Sequence, residues 1–450
     1  MGPFLVTDVL RMAAAAIRGL LEDPLSSQVW VVIFKFVPMV VFLELPYYAF
    51  VLAGVLKYAM ERALLPWEEV QYHPSVSCII PCYSEGEDVK LTIRTLTHQI
   101  YPGRIQIIPV IDGALVNSHT HRAALEMMDQ VMSVPNRELL VLPKWQRGGR
   151  VSSLNAGLSV ARGEVVMALD GDTSFDNDMV SKAVRHFRDP NVAAVAGCLR
   201  VRNWRSSLAA ALQGLEYMLA IGVSKTGLSQ FNAVNNISGA FGIFRREVLN
   251  LIMGWDAGSA EDLDITMRIK NYFGRYRSVR ILFDPEVIGH TDAPPTFRGF
   301  FKQRLRWDGD LFYIYVRKHL KSFSPSMMGW RNFITVTLGG LYFQIVVPLI
   351  LLVYTAFSFI TLPLGTVFRI LLLVYLFYLG VTLVFYLLGL AFVSERPRDD
   401  LILGVLLPLF PVFTFASRLW SAAAVIWEMV ARGHLDSSMA PWWVLRKGRF

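Results

Sequence analysis

Hydrophobic positions are unevenly spread along the chain, and the unevenness divides it. Across residues 332–393 the only charge is Arg369, and the turn signal Leu362-Pro363-Leu364-Gly365 cuts the stretch in two. Each half is long enough to cross about 30 Å of hydrocarbon. After a polar patch at 394–400, a third apolar run covers 401–430 and is broken by Pro408 and Pro411. It reads as one kinked span, or as a re-entrant segment followed by an interfacial helix. Residues 29–60 are apolar apart from Lys35, Glu44 and Lys57, which predicts one long or kinked membrane helix. Residues 6–21 set Asp8, Arg11 and Arg18 against Leu, Met and Ala, the pattern of a helix lying on a surface rather than of a signal peptide.

Between these ends, residues 62–330 have an ordinary soluble character. Strand-length apolar runs at 76–80, 105–111, 139–142 and 164–169 alternate with helical patterns at 89–98, 119–132 and 152–161. This rhythm predicts an α/β domain with a mainly parallel sheet, helices on both faces, and ligands at the carboxyl ends of the strands. The expected layout is a surface helix (1–28), a span (29–60), the α/β domain with interfacial helices (62–330), a C-terminal membrane region (331–430) and a basic aromatic tail (431–450). That tail, with Trp442, Trp443, Arg446, Lys447 and Arg449, either closes over a ligand site or anchors at the interface.

Composition agrees with the division. Of 450 residues, 54% are hydrophobic and 18% charged, against roughly 25% charged in a globular domain. A disordered, fibrous or disulfide-rich secreted protein is excluded. Cys78, Cys82 and Cys198 are too few for a disulfide framework or a zinc site, and are expected as reduced core residues. The net charge of +8 suits phosphorylated substrates and an anionic membrane face without calling for nucleic acid. Lys302, Arg304, Arg306, Arg317, Lys318 and Lys321 precede the next span, which places the domain on the cytosolic side.

Acidic residues fall where the strands end. Asp112 follows the run 105–111, and Asp170-Gly171-Asp172 follows the run 164–169. Two carboxylates flanking a glycine can hold Mg2+ or Mn2+, which keeps waters and borrows ligands from phosphates; an Asx-type turn is the plainer reading. Glu261 and Asp262 open a helical stretch, where one serves as a general base or both simply suit the helix dipole. Asp264 is expected to cap or pair locally. In Gln303-Arg304-Leu305-Arg306-Trp307, helical spacing puts Gln303, Arg306 and Trp307 on one face. A tryptophan there can stack on a sugar while the guanidinium holds a phosphate; a juxtamembrane anchor is the alternative.

The order of these parts resembles the processive membrane glycosyltransferases of family 2, the hyaluronan, chitin, cellulose and poly-N-acetylglucosamine synthase type. The resemblance runs from about residue 75 to 307. It is supported by Ile79-Ile80-Pro81-Cys82-Tyr83-Ser84-Glu85, Gly148-Gly149-Arg150 with Leu154-Asn155-Ala156-Gly157, and Ser238-Gly239 before Phe244-Arg245-Arg246-Glu247. It implies a cytosolic GT-A (nucleotide-diphospho-sugar transferase) domain fused to transmembrane helices in the plasma (inner) membrane. Tyr83, Glu85 and Asp112 then correspond to the uridine pocket, Arg150 to a phosphate-contacting lysine, and Asp170 with Asp172 to the metal motif. Asp262, beside Glu261, matches the catalytic base. Gln303 and Arg306 fall at the diphosphate, and Trp307 with Ser238 and Gly239 at the acceptor. The implied partners are a UDP-sugar donor, a glycan acceptor, the lipid bilayer and a small membrane or periplasmic accessory subunit. Departures are Ile111 where many relatives carry a second aspartate, Ser84 for asparagine and Arg150 for lysine. No regulatory domain follows the spans, unlike the bacterial cellulose synthases. A single transfer to a lipid-linked or glycolipid acceptor is the alternative within the same fold. A transporter with a cytosolic domain is the alternative of another class, but paired intramembrane charges and repeats are not evident.

Overall fold

The computed structural model describes residues 40–64, 71–257, 260–272 and 276–432. The expected surface helix, the first part of the first span and the aromatic tail lie outside the described residues.

The strand-forming runs are apolar at every position rather than alternately, because both faces of the sheet are covered. β1 (Val76–Cys82), β2 (Ile105–Asp112) and β5 (Val165–Leu169) are buried throughout. Their side chains divide with a period of two. Cys78, Ile80 and Cys82 join one core with Ile107 and Met167. Ile79 joins the other with Ile108, Val166, Ala168 and Cys198. All three cysteines are therefore core residues.

One nine-stranded sheet has the order β3-β2-β1-β5-β8-β7-β9-β6, with β4 (Leu142–Lys144) also pairing with β2. β3 is Arg137–Leu139, β6 Ser174–Phe175, β7 Val192–Val201, β8 Phe241–Arg245 and β9 Arg280–Thr291. β1 runs parallel to β2 and β5, while β8 is antiparallel to β5 and β7. The sheet is thus mixed and mainly parallel, as expected of the α/β domain. The run at 139–142 is two short strands, not one, each beside β2.

This topology converges the loops. Cys82 pairs with Ile111, so the segments after β1 and β2 emerge side by side. Leu169 pairs with Phe241, which places Asp170 against the entry to β8, and Asp170 N donates to Ala240 O at 3.2 Å.

Among the described residues, four helices are long and apolar enough to cross a membrane: α1 (Val40–Leu64), α6 (Pro325–Thr361), α7 (Leu364–Phe392) and α8 (Phe410–Ala431). The last apolar run is a short helix, Pro397–Leu403, followed by α8, with Pro411 in its first turn where a missing N–H costs nothing. α2 (Gly149–Val160) packs on β1 and β2. Between the sheet and the spans lie α3 (Ser224–Ser229), α4 (Glu261–Tyr272) and α5 (Phe297–Phe312). α1 meets α3 backbone to backbone. A side chain added at Gly54 would strike Gly227, and one at Gly227 would strike Val51, the close approach that small residues permit between helices. α5 lies along α8. Trp420 Nε1 donates to Phe301 O at 2.8 Å, Ser421 Oγ to Asp308 Oδ2 at 2.6 Å, and Arg317 pairs with Glu428 at 3.0 Å.

Candidate active site

Asp112 ends β2 and is fully engaged. Lys144 Nζ donates to Oδ1 at 2.7 Å, Gly148 N to Oδ1 at 2.7 Å and Gly149 N to Oδ2 at 2.9 Å. The amides are those entering α2, so the carboxylate sits at the positive end of a helix. Beside it, the Arg147 guanidinium stacks 3.6 Å from the Tyr83 ring centroid. Burial works against the charge of Arg147 and pulls its pKa down. Ser84 and Gly86 adopt positive φ angles of 66° and 57°, which fold the chain back so that Glu85 reaches the next loop. There Glu85 packs against Gly171, whose hydrogen leaves room for it: a Cβ would lie 3.0 Å from Glu85 Cγ.

Glu85, Asp170 and Asp172 thus share one corner. Burial pushes the Glu85 carboxyl up to about 7, and the charges of Asp170 and Asp172 add to the rise. Its Oε2 is buried without a hydrogen-bond partner among the described residues. This is a local surplus of negative charge, which a divalent cation relieves. Among the described residues no three His, Cys, Asp or Glu side chains enclose an ion alone. The donor set therefore fits Mg2+ or Mn2+ drawing its other ligands from phosphate and water.

Arg150, in the first turn of α2, joins this corner to the next one. Its guanidinium lies 2.5 Å from Asp170 Oδ1, donates to Gly239 O at 2.6 Å, and pairs with Glu261. Glu261 and Asp262 open α4. Burial pushes the Glu261 carboxyl up. Asp262 Oδ2 accepts from Gly239 N at 3.1 Å and Asn236 Nδ2 at 3.4 Å, while Oδ1 accepts from Leu263 N at 2.8 Å. These donors orient the carboxylate, and among the described residues it carries no salt bridge, an arrangement suited to a general base. Asp264, two residues further along α4, is fully buried. It pairs with Arg268 at 2.8 Å as expected locally, and also with Lys318 at 2.9 Å and His319 at 2.8 Å.

Gln303, Arg306 and Trp307 all lie on α5, capped at its start by Thr296. The guanidinium nearest Trp307 is that of Arg304, 5.1 Å from the ring centroid and paired with Glu216 at 2.7 Å. Among the described residues Arg306 forms no ion pair, which leaves its charge available to a ligand.

The geometry brings Tyr83 and Asp112 to one side, and Glu85, Asp170 and Asp172 to a corner that Arg150 joins to Gly239, beside Ser238, and to Glu261 and Asp262. Sequence reasoning missed Lys144, Arg147, Asn236 and Lys225. Lys144 and Arg147 stand just before the glycine pair, a usable signal for an anion-binding turn. Lys225 is the lone charge of residues 217–230. Its Nζ donates to Asn236 O at 3.0 Å, and burial pushes it down to about 8, against the pull of nearby Asp262.

Residues 73–309 match the family described as Glycosyltransferase like family 2. Over 248 residues the chain is 30% identical to a poly-beta-1,6-N-acetyl-D-glucosamine synthase of Staphylococcus epidermidis, covering 55% of this chain and 57% of that protein. Over 234 residues it is 29% identical to the synthase of the same name from Staphylococcus aureus, covering 52% and 53%. The chain thus matches just over half the length of these curated relatives. Among solved structures, a mannosyltransferase of Pyrobaculum calidifontis in complex with GDP-Man and Mn2+ aligns with 86% of this chain and 99% of its own. The TM-score is 0.47 and the identity 18%.

Proposed function

The chain belongs to glycosyltransferase family 2, and from that premise we propose a membrane-embedded, inverting transferase that moves sugar from a UDP-sugar to a growing β-linked polysaccharide. The names of the relatives make UDP-N-acetylglucosamine the first donor to test. The observation that carries the reading is the Asp262 carboxylate, held by Gly239 N and Asn236 and linked through Glu261 and Arg150 to Asp170.

In the transfer, the acceptor hydroxyl oxygen attacks the anomeric carbon and its proton passes to Asp262. The bond from the anomeric carbon to the diphosphate oxygen breaks on the opposite face, and UDP departs with the electron pair. Asp172 and Asp170 would hold Mg2+ or Mn2+, which when bound neutralises the departing diphosphate. Arg306 meets the same charge from α5. Arg150 meets it on exchanging a carboxylate for a phosphate oxygen. Tyr83 with Arg147 offers a stacked surface for the uracil ring, beside Asp112 and Glu85. Trp307 stacks on the terminal sugar of the acceptor.

Processive extension with export is supported by the packing of α5 along α8, which sets the acceptor motif directly on the spans. The basic residues before α6 favour a cytosolic domain. Product size decides: purified protein with labelled UDP-N-acetylglucosamine should yield polymer, and a single added sugar would overturn the processive reading.

A further inference from the structure

The loop Asp170-Gly171-Asp172 joins β5 to β6, a strand of only two residues at the edge of the sheet. So short a strand holds a loop weakly, and side chains hold it instead. From within the domain, Thr92 Oγ1 lies 2.8 Å from both Gly171 O and Thr173 O. From the outer side comes Arg202, the residue after β7. Its Nη2 donates to Asp172 O at 3.4 Å and its Nη1 to Ser174 Oγ at 3.3 Å. The same guanidinium grips Asp292 twice, Nε donating to Oδ1 at 3.1 Å and Nη2 to Oδ2 at 2.7 Å.

Asp292 follows β9 and begins the lead-in to α5, the helix of Gln303, Arg306 and Trp307. That lead-in is itself fixed. Arg202 N donates to Thr291 O at 2.8 Å, and Asn203 exchanges bonds of 2.8 and 2.9 Å with Ala293. Gln213 donates to Pro294 O at 2.9 Å. One guanidinium therefore ties the loop of the metal motif to the root of the acceptor helix. The side chains of Arg202 and Asp292 are 34% and 52% exposed, and a pair so open to water adds little to folding. What a two-pronged arginine–carboxylate pair does supply is direction. It sets the plane of the guanidinium, and with it the bond to the Asp172 carbonyl. Its charge is also felt by the metal motif. Burial and Asp170 push the Asp172 carboxyl up, and Arg202 works against that rise.

Resting on the reading of Asp170 and Asp172 as the metal motif, we propose that Arg202 is a positioning residue for the transfer, aimed by Asp292. It touches neither metal nor sugar. It holds the Asp172 backbone in the place from which the carboxylate can take up Mg2+ or Mn2+, and it fixes that place relative to α5. Groups that orient a ligating carboxylate set metal affinity almost as strongly as the ligand does. Arg150 serves the other aspartate differently, by direct pairing with the Asp170 carboxylate at 2.5 Å.

The test titrates UDP into the full chain by calorimetry, in chelator and at rising Mn2+. Arg202→Ala should raise the Mn2+ concentration that gives half of the tightening about tenfold, with UDP affinity in chelator unchanged. Asp292→Asn, which frees the same guanidinium from the lead-in to α5, should give a smaller rise. Arg202→Lys keeps the charge but cannot hold both partners in one plane, so it should recover only part. Arg205→Ala breaks a nearby exposed pair with Asp399 and should leave the Mn2+ requirement as it was. A wild-type Mn2+ requirement in Arg202→Ala would overturn the proposal, as would an equal rise in Arg205→Ala, which would mark a general loosening. Where Arg202→Ala loses UDP affinity in chelator through misfolding, Asp292→Asn decides, and a wild-type requirement there overturns the proposal. UDP binding by the wild-type chain that Mn2+ does not tighten would instead overturn the metal reading on which the proposal rests.

Discussion

Two acidic clusters belong to the same sheet, and their surroundings differ completely. On β9, Asp284 and Glu286 are met at 2.9 Å by Arg185, Asp284 by His186 at 2.6 Å, and Glu286 by Arg62 at 2.9 Å. Asp176 nearby holds His290 at 2.8 Å and Arg396 at 3.0 Å. Burial opposes the charge of Asp284, but His186 and Arg185 hold its carboxyl well below the usual range. At the strand ends, the one ion pair of Glu85, Asp170 and Asp172 among the described residues is that of Asp170 with Arg150 at 2.5 Å, and burial pushes Glu85 up to about 7. The first cluster is structure. Two of its cations, Arg62 from α1 and Arg396 from the loop between α7 and α8, fasten the domain to the spans. The second is left short of positive charge, and that shortage is what a metal and a diphosphate would satisfy.

The largest effect that would break this contrast comes from Asp172→Asn. Turnover should fall at least about 100-fold, from the loss of several kcal/mol of charge stabilisation, and added Mn2+ should no longer tighten UDP binding. Unchanged Mn2+ dependence in a UDP titration would remove Asp172 from the metal site.

Acidity sharpens the contrast further. The folded-state pKa of Glu85 lies above its unfolded value of 4.5, so the folded chain holds the extra proton between the two. Stability from this group is present at low pH and is lost as pH rises through about 7. Glu85→Gln should remove that loss. In chelator at about pH 8 the variant should melt about 2–4 °C above the wild type, with little difference near pH 5. Parallel melting curves across that range would contradict it.

On the paired side the effects are smaller. Arg62→Ala removes one partner from Glu286 and one from Glu395 and should cost about 1–2 kcal/mol by thermal unfolding, since Arg185 still holds Glu286. Arg205→Ala breaks an exposed pair with Asp399 at 2.8 Å and should cost less than about 1 kcal/mol. UDP affinity should survive both.

Much of this was legible in the residues. The continuous apolar runs predicted buried strands, and the acidic spots at 112, 170–172 and 261–262 fell at the strand ends and helix start where the fold uses them. Local rhythm does not carry long-range partners. Nothing local tells that Arg150 faces Asp170 and Glu261, because the antiparallel placement of β8 beside β5 is what brings Gly239 there. Helical spacing put Arg306 and Trp307 on one face, yet Arg304 takes the position over the ring because Glu216 fixes it. Asp264 was expected to cap or pair locally, and its Arg268 pair fits that. Its anchoring by Lys318 and His319 was not legible, and it separates this anchor from Asp262, the proposed base.

That separation gives the most direct measurement: transfer of labelled sugar from UDP-N-acetylglucosamine by Asp262→Asn against wild type, with UDP affinity measured in parallel. We expect wild-type polymer, a variant reduced at least about 100-fold, and equal UDP affinity. A variant that transfers sugar at the wild-type rate would contradict the assignment of Asp262 as the base.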